Sequence, residues 1–309
     1  MDRKEKTMVA CYLCGSKNLM MRKTVMSDFL YAKITGGGYK KGAGANEKVR
    51  LCHCKDCTFS FYDRRLSEAE SNKLYEGYRG IEYQKLRQAC DCWYTPKVND
   101  ALNHDATAFR DQKRVIGGMV KKYVKKKPAC ALDFGGNKGE SFPEWIGTKK
   151  KYVYDISGVK TVPGVERLSD EEELLQHKFD FIMCNMTLEH VSDPKALVQQ
   201  LYKIGSAGTY YYVEVPSENP FAKDKFSIRK NLALLWNPYY SKIRLVQHYF
   251  RLKRQPYMPM SEHINFFTPK ALETMLSLCG FNVLAVQEYE ERSVLGKAKV
   301  LAAVCRKEG

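Results

Sequence analysis

The rhythm of apolar and polar positions changes at about residue 128. From Pro128 to Gly309 short apolar runs alternate with stretches of helical spacing. Ala129 to Phe134 (ACALDF), Tyr152 to Asp155 (YVYD), Phe179 to Cys184 (FDFIMC) and Thr209 to Val215 (TYYYVEV) have the pattern of buried strands, and Pro216 stops the last of them. Between the third and fourth, Asp193 is a good N-cap with Pro194 at the first helical position. Leu197, Val198, Leu201 and Ile204 then mark one apolar helix face. Thr268-Pro269 opens a second helix in the same way, and Gly280 closes it after Leu272, Met275, Leu276 and Cys279. Two final runs, Phe281 to Tyr289 and Lys299 to Cys305, flank a charged turn and predict an antiparallel pair at a sheet edge. Strands alternating with helices predict an α/β domain on a parallel sheet.

Upstream the pattern differs. Residues 1–62 hold five cysteines in two clusters, and residues 63–127 are charged, tyrosine-rich and helical in spacing. The expected parts are a cysteine module (1–62), a helical segment (63–127) and the α/β domain (128–309), the last interrupted by a long segment at 217–262. Thr35 to Gly44 is a glycine-rich loop or hairpin tip.

Composition changes this picture in two respects. The net charge of +16 concentrates anions around the chain. Nucleic acid, a nucleotide-sugar, a phosphorylated metabolite and an acidic membrane surface all meet that description. The 11 cysteines are an odd number, and the N-terminus leads into them without an apolar export segment. The expected location is therefore cytoplasmic, and in a reducing compartment clustered cysteines point to metal rather than disulfides. No apolar stretch is long enough for a membrane span.

Cys11-x-x-Cys14 and Cys54-x-x-Cys57 are two knuckles that together offer four thiolates, a tetrahedral zinc shell. Cys52 or His53 can stand in for one ligand, but the matched spacing favours Cys54 and Cys57. Asp133-Phe134-Gly135-Gly136-Asn137-Lys138-Gly139 follows a strand, where glycines let a backbone pass close under a ligand. Asp155 stands 22 residues after Asp133 at the end of the next strand, where an acid can accept the hydroxyls of a ribose. The dinucleotide fingerprint is not met, because position 137 is Asn.

LDFGGNKG resembles the first motif of class I S-adenosylmethionine-dependent methyltransferases, with Asn137 in place of the middle glycine. FDFIMCNMTLEHVSDP and SEHINFFTPKALETMLSLCGF resemble two later blocks of that family, in the family's order. The resemblance covers about residues 130–309. It implies a Rossmann-like seven-stranded sheet, mostly parallel with the last strand antiparallel, and S-adenosylmethionine as cofactor. It also implies site residues. Asp133, Gly135, Gly136 and Gly139 would lie at the methionine part of the cofactor, and Asp155 would take the ribose. Leu168 and Ser169 would flank the adenine, and Cys184 and Asn185 would lie under the methionine moiety.

A zinc ribbon, a tyrosine-rich helical segment (LYEGYRGIEYQKLR) and this core, in that order, resemble bacterial methyltransferases of sugar and surface-glycan pathways. Some of those are sugar C-methyltransferases, which resemble H-x-x-Y around their base and carry a further C-terminal domain. Here His263 is followed by Ile264-Asn265-Phe266 and the chain stops at 309, so O-methylation is the expectation.

His190 and His263 are the candidate general bases, since imidazole can take a hydroxyl proton near neutral pH. Glu189 can orient His190 or bind a divalent ion. From Lys225 to Arg254 there are eight basic residues and no acid, with aromatics interleaved. There Arg229, Lys230, Arg244 and Arg251 can clamp phosphates and Tyr240 can stack on a sugar or base. The resulting expectation is zinc-ribbon-tethered O-methylation of a nucleotide-linked or phosphorylated sugar. Methylation of RNA, sugar C-methylation and a non-catalytic binding module are the alternatives.

Overall fold

In the computed structural model, residues 10–91, 93–104, 106–147, 150–221, 258–293 and 296–309 are described. In chain order the strands are β1 (Leu19–Val25), β2 (Lys48–Cys54), β3 (Ser60–Tyr62), β4 (Cys130–Phe134), β5 (Lys150–Tyr154), β6 (Glu166–Leu168), β7 (Phe181–Asn185), β8 (Tyr210–Pro216), β9 (Asn265–Phe266), β10 (Phe281–Ser293) and β11 (Gly296–Lys307). The helices are α1 (Asp28–Thr35), α2 (Glu68–Tyr75), α3 (Ile81–Cys90), α4 (Pro96–Asn103), α5 (Ala106–Tyr123), α6 (Glu171–Gln176), α7 (Pro194–Ile204) and α8 (Pro269–Leu278).

Seven strands form one sheet in the order β10-β11-β8-β7-β4-β5-β6. β11 runs antiparallel to both its neighbours, and the pairs from β8 to β6 are parallel. β4 and β7 are buried throughout and β8 at all but its ends, because helices cover a parallel sheet on both faces. Asp193 and Thr268 cap α7 and α8 by accepting hydrogen bonds from the amides of Ala196 and Ala271. Val198 and Leu201 of α7 and Leu272 and Met275 of α8 pack on one face of the sheet. Ile116, Met119 and Val120 of α5 pack on the other, against Phe181, Met183 and Tyr212. The last helix of the tyrosine-rich zone is thus part of the sheet's own core.

The second sheet, β1-β2-β3-β9, is antiparallel throughout. Its first three strands come from the cysteine module, and its fourth is the two-residue β9 from the far end of the chain. Side chains alternate across a strand, and β3 uses both faces. Phe61 joins the core that contains Leu272 and Met275, whereas Tyr62 faces Phe29, Leu74, Tyr83 and Phe266 in a second core with the tyrosine-rich helices. The module is therefore built into the molecule rather than tethered to it. Its strands escape the hydrophobic pattern because β1, LMMRKTV, is mostly solvent-facing. The closing strand pair is longer than its apolar runs, since charged residues continue the ladder at Glu290↔Lys299 and Arg292↔Lys297. Among the described residues no helix is long and apolar enough to cross a membrane.

Candidate active site

Asp133 stands near the end of β4 and Asn185 at the end of the neighbouring β7, at the edge where parallel sheets bind ligands. Asp133 is fully buried, and neither carboxylate oxygen has a hydrogen-bond partner among the described residues. Burial first, then the charges of Asp155 and Glu214, push its carboxyl up to about 8. Both polar atoms of the Asn185 amide are likewise buried without partners. Buried polar groups left open in this way carry a cost that a ligand with complementary donors and acceptors removes.

The glycine loop closes over Asp133, and a Cβ on Gly136 would collide with its carboxylate. Gly135 and Gly139 have φ of 73° and 75°, and Cβ atoms there would crowd Thr187 and Val165. Asn137, where the family pattern has glycine, holds φ 52°. Asn is one of the few side-chain-bearing residues that enter this left-handed region readily, so the substitution preserves the turn.

Asp155 ties the loop to the end of β5. Its carboxylate accepts hydrogen bonds from the amides of Asn137 (2.9 Å) and Ser157 (2.7 Å). Arg167 on β6, which sequence reasoning did not single out, donates to the carbonyls of Asp155, Asn137 and Val159. Nothing in its local pattern marks it, because its partners come from two other loops. Leu168 is packed into the core, and Ser169 bonds Glu173 at the start of α6. The apolar residues open to solvent along this edge are Ile156, 70% exposed, and Val159. Cys184 is fully buried, and burial pushes its thiol pKa up.

The acceptor side lies beyond β7 and β8. His263 Nδ1 stands 3.1 Å from Glu218 Oε2, so Nδ1–H donates to that carboxylate and Nε2 is left for other partners. Burial lowers the His263 pKa, but the Glu218 hydrogen bond and the charges of Glu218, Glu189 and Glu262 outweigh it and raise it to about 9. His190 Nδ1 stands 3.2 Å from the Glu262 carbonyl, which fixes the proton there and puts its lone pair at Nε2, 3.6 Å from Glu189 Oε1. Burial, then the His263 charge, lowers His190 to about 3, and burial raises Glu189 to about 8. A neutral imidazole facing a protonated carboxyl is thus the favoured state of that pair near neutrality. The two imidazole rings meet edge to face at 4.8 Å. Glu189, His190 and His263 each bring a nitrogen or oxygen within 4.8 Å of the others.

Helices α2 and α3 wall this cluster. The Tyr75 ring meets His190 at 5.7 Å, Tyr83 Oη donates to Glu262, and Arg87 reaches Glu262 at 3.5 Å. Glu218 and Tyr75 were not foreseen. Glu218 had a signal, an acid two residues past the strand-ending Pro216; Tyr75 was one tyrosine among many. Arg229, Lys230, Arg244, Arg251 and Tyr240 lie outside the described residues.

The four knuckle cysteines converge. Cys11 and Cys57 sulfurs are 3.7 Å apart, those of Cys14 and Cys54 3.6 Å, and all four lie within 4.8 Å of one another. A disulfide requires roughly 2.05 Å, whereas bonds of roughly 2.3 Å to one tetrahedral zinc put sulfurs about 3.8 Å apart. Cys52 and His53 turn elsewhere. The Cys52 thiol faces the Arg50 carbonyl, and His53 pairs with Ser60 and stacks on Phe221.

Comparison with known proteins identifies a family. A family model described as a methyltransferase domain matches residues 108–286, more than half of the chain. The chain belongs to that family and is an S-adenosylmethionine-dependent methyltransferase. Among solved structures it is similar to an S-adenosylmethionine-dependent methyltransferase from Methanosarcina mazei, at 16% identity and TM-score 0.39, covering 62% of this chain and 97% of that one. It is also similar to the Burkholderia thailandensis 1,6-didemethyltoxoflavin-N1-methyltransferase, solved with 1,6-didemethyltoxoflavin and S-adenosylhomocysteine, at 13% identity and TM-score 0.46, covering 83% and 99%. No curated protein sequence matches the chain.

Proposed function

We propose that this methyltransferase acts on a hydroxyl of an anionic small molecule, a nucleotide-linked or phosphorylated sugar, with His263 as general base. The observation that carries the reading is the His263–Glu218 pair at the carboxyl end of the sheet, on the same edge as the open polar atoms of Asp133 and Asn185. S-adenosylmethionine, when bound, supplies a sulfonium-activated methyl group. Asp133 and the backbone of Gly135, Gly136 and Gly139 would hold its methionine part, Asp155 its ribose, and the exposed Ile156 would cover the adenine. Cys184 serves through its backbone, because its side chain is enclosed in the core.

A hydroxyl must lose its proton as the methyl arrives. His263 Nε2 receives it, and Glu218 at Nδ1 stabilises the imidazolium that results. Removing a proton needs His263 neutral at the outset, so the rate should climb as pH rises toward the His263 pKa of about 9. His190, held neutral, keeps Glu189 and the Tyr75 wall in register.

The anionic class rests on the charge of +16 and on the basic run from Lys225 to Arg254. The cysteines would hold one structural zinc, a closed four-sulfur shell without an open position for chemistry. The test is transfer of labelled methyl to a panel of nucleotide-sugars, phosphorylated sugars and RNA. Labelled sugar product is expected. RNA as the one labelled acceptor, with binding that falls steeply with salt, would replace this reading by RNA methylation.

A further inference from the structure

Arg65 follows β3 of the cysteine module and ends inside the acceptor site's backbone. Its Nε donates to the Ser192 carbonyl (2.7 Å), and Nη2 to the Val191 carbonyl (2.9 Å) and the Asn265 side-chain oxygen (2.7 Å). Nη1 donates to the carbonyls of Tyr62 (3.2 Å) and Ile264 (3.4 Å). A guanidinium has five N–H donors, and all are used. None goes to a carboxylate, so the group acts as a fork joining backbone segments rather than as half of an ion pair.

Those segments are the ones that carry the histidines. Val191 and Ser192 follow His190, and Ile264 and Asn265 follow His263. Asn265, itself fully buried, extends the fork: its Nδ2 donates to the carbonyls of Leu188 and Val191, on either side of Glu189 and His190. The amides of Ile264 and Asn265 both donate to the Glu189 carbonyl. On the module side the Tyr62 amide donates to the Ile264 carbonyl, and β3 pairs with β9 at Ser60↔Phe266 and Phe61↔Asn265. The Tyr12 ring, next to Cys11, stacks 5.1 Å from the Arg65 guanidinium.

We propose that Arg65 is a positioning residue which, with Asn265, fixes the Glu189–His190 turn and the His263 strand on the edge of the cysteine-bearing sheet, so that the geometry of the two histidines depends on the module being folded around its metal. This rests on the acceptor-site reading given above. Lysine keeps the charge but offers three donors from a single point and cannot span five acceptors. Arg65→Lys should therefore fail to restore function if geometry is what matters.

The test compares imidazole nitrogen spectra of His190 and His263 at one fixed pH in the full chain, in Arg65→Lys, in Asn265→Asp, and in the wild type after chelation of its metal. Cofactor binding is followed by calorimetry with S-adenosylhomocysteine. In both variants the two imidazole resonances should move or broaden, and chelation should move the same pair. Affinity for S-adenosylhomocysteine should stay within about twofold. Methyl transfer by Arg65→Lys should fall on the order of 10²-fold in kcat, with KM changing less. Unchanged imidazole spectra in the variants, or after chelation, would overturn the proposal, as would equal loss of cofactor affinity and kcat. The imidazole comparison needs no acceptor. A wild type that binds no S-adenosylhomocysteine would instead refute the site reading and leave this coupling to be judged on the spectra. Should Arg65→Lys not fold, Asn265→Asp and the chelated wild type decide it.

Discussion

The donor side and the acceptor side of the site are built differently. On the donor side, Asp133 and Asn185 hold buried polar atoms with no partner among the described residues, under a loop whose glycines leave no room for side chains. On the acceptor side Nδ1 of each imidazole is engaged, by Glu218 or the Glu262 carbonyl, and Arg65 and Asn265 tie down the backbone between them, while Glu189 Oε2 and Tyr75 Oη are buried without a partner among the described residues. The difference teaches what each side waits for. The first lacks ligand-borne donors and acceptors and should bind its ligand by being satisfied by them. The second has its imidazoles and their backbone already organised, as a site must that acts by positioning and by moving one proton.

The largest effect should come from the metal. Cys11→Ser or Cys57→Ser should release the zinc and unfold the module, since structural zinc contributes on the order of 10 kcal/mol. Cys52→Ser should retain one zinc per chain by metal analysis, because its thiol faces the Arg50 carbonyl instead.

Next in size, His263→Asn should lower kcat by about 10²–10⁴-fold, the usual share of a general base, and Glu218→Gln should lower it less and move the pH profile down, because the Glu218 carboxylate raises the His263 pKa. Affinity for S-adenosylhomocysteine should be unchanged in both. In the wild type kcat should rise with pH and level off near 9, following the raised His263 pKa. A flat profile across pH 6–9 would remove His263 from that role.

Asp155→Ala should weaken cofactor binding by about 1.5–3 kcal/mol, the range for hydrogen bonds to a charged group. Thermal stability should fall less, because only two amides lose their acceptor.

The smallest effect concerns Asp133. Its folded pKa of about 8 lies above the ordinary 3.8. Its contribution to stability is therefore full below about pH 3.8 and is lost as pH rises through about 8. Asp133→Asn removes that dependence. Without cofactor, the variant should be more stable than the wild type at pH 8 by about 1–3 kcal/mol, with the gap closing toward pH 4. It should also bind cofactor more weakly. A wild type with no stability loss between pH 4 and 8 relative to Asp133→Asn would place the Asp133 proton elsewhere.

The same contrast governs what the sequence disclosed. Donor-side residues are contiguous: LDFGGNKG is one strand, one turn and the start of the next element, so its chemistry and its geometry coincide. Even the irregular Asn137 has a local reason, its positive φ. The acceptor side draws on residues 62–65, 75–87, 188–192, 218 and 262–266, and no local pattern unites them. His190 and His263 were visible as isolated imidazoles, but Arg65 looked like one more cation in a chain rich in them. The cysteine knuckles were legible because their spacing is itself the chemistry. The sheet they belong to was not, since its fourth strand is two residues long and lies about 200 residues away in sequence.

The separation of the two sides is measured most directly by calorimetric titration of S-adenosylhomocysteine into the wild type, Asp155→Ala and His263→Asn. One site per chain is expected, with a Kd unchanged by His263→Asn and raised at least about tenfold by Asp155→Ala. No binding by the wild type, or equal weakening by the two substitutions, would contradict it.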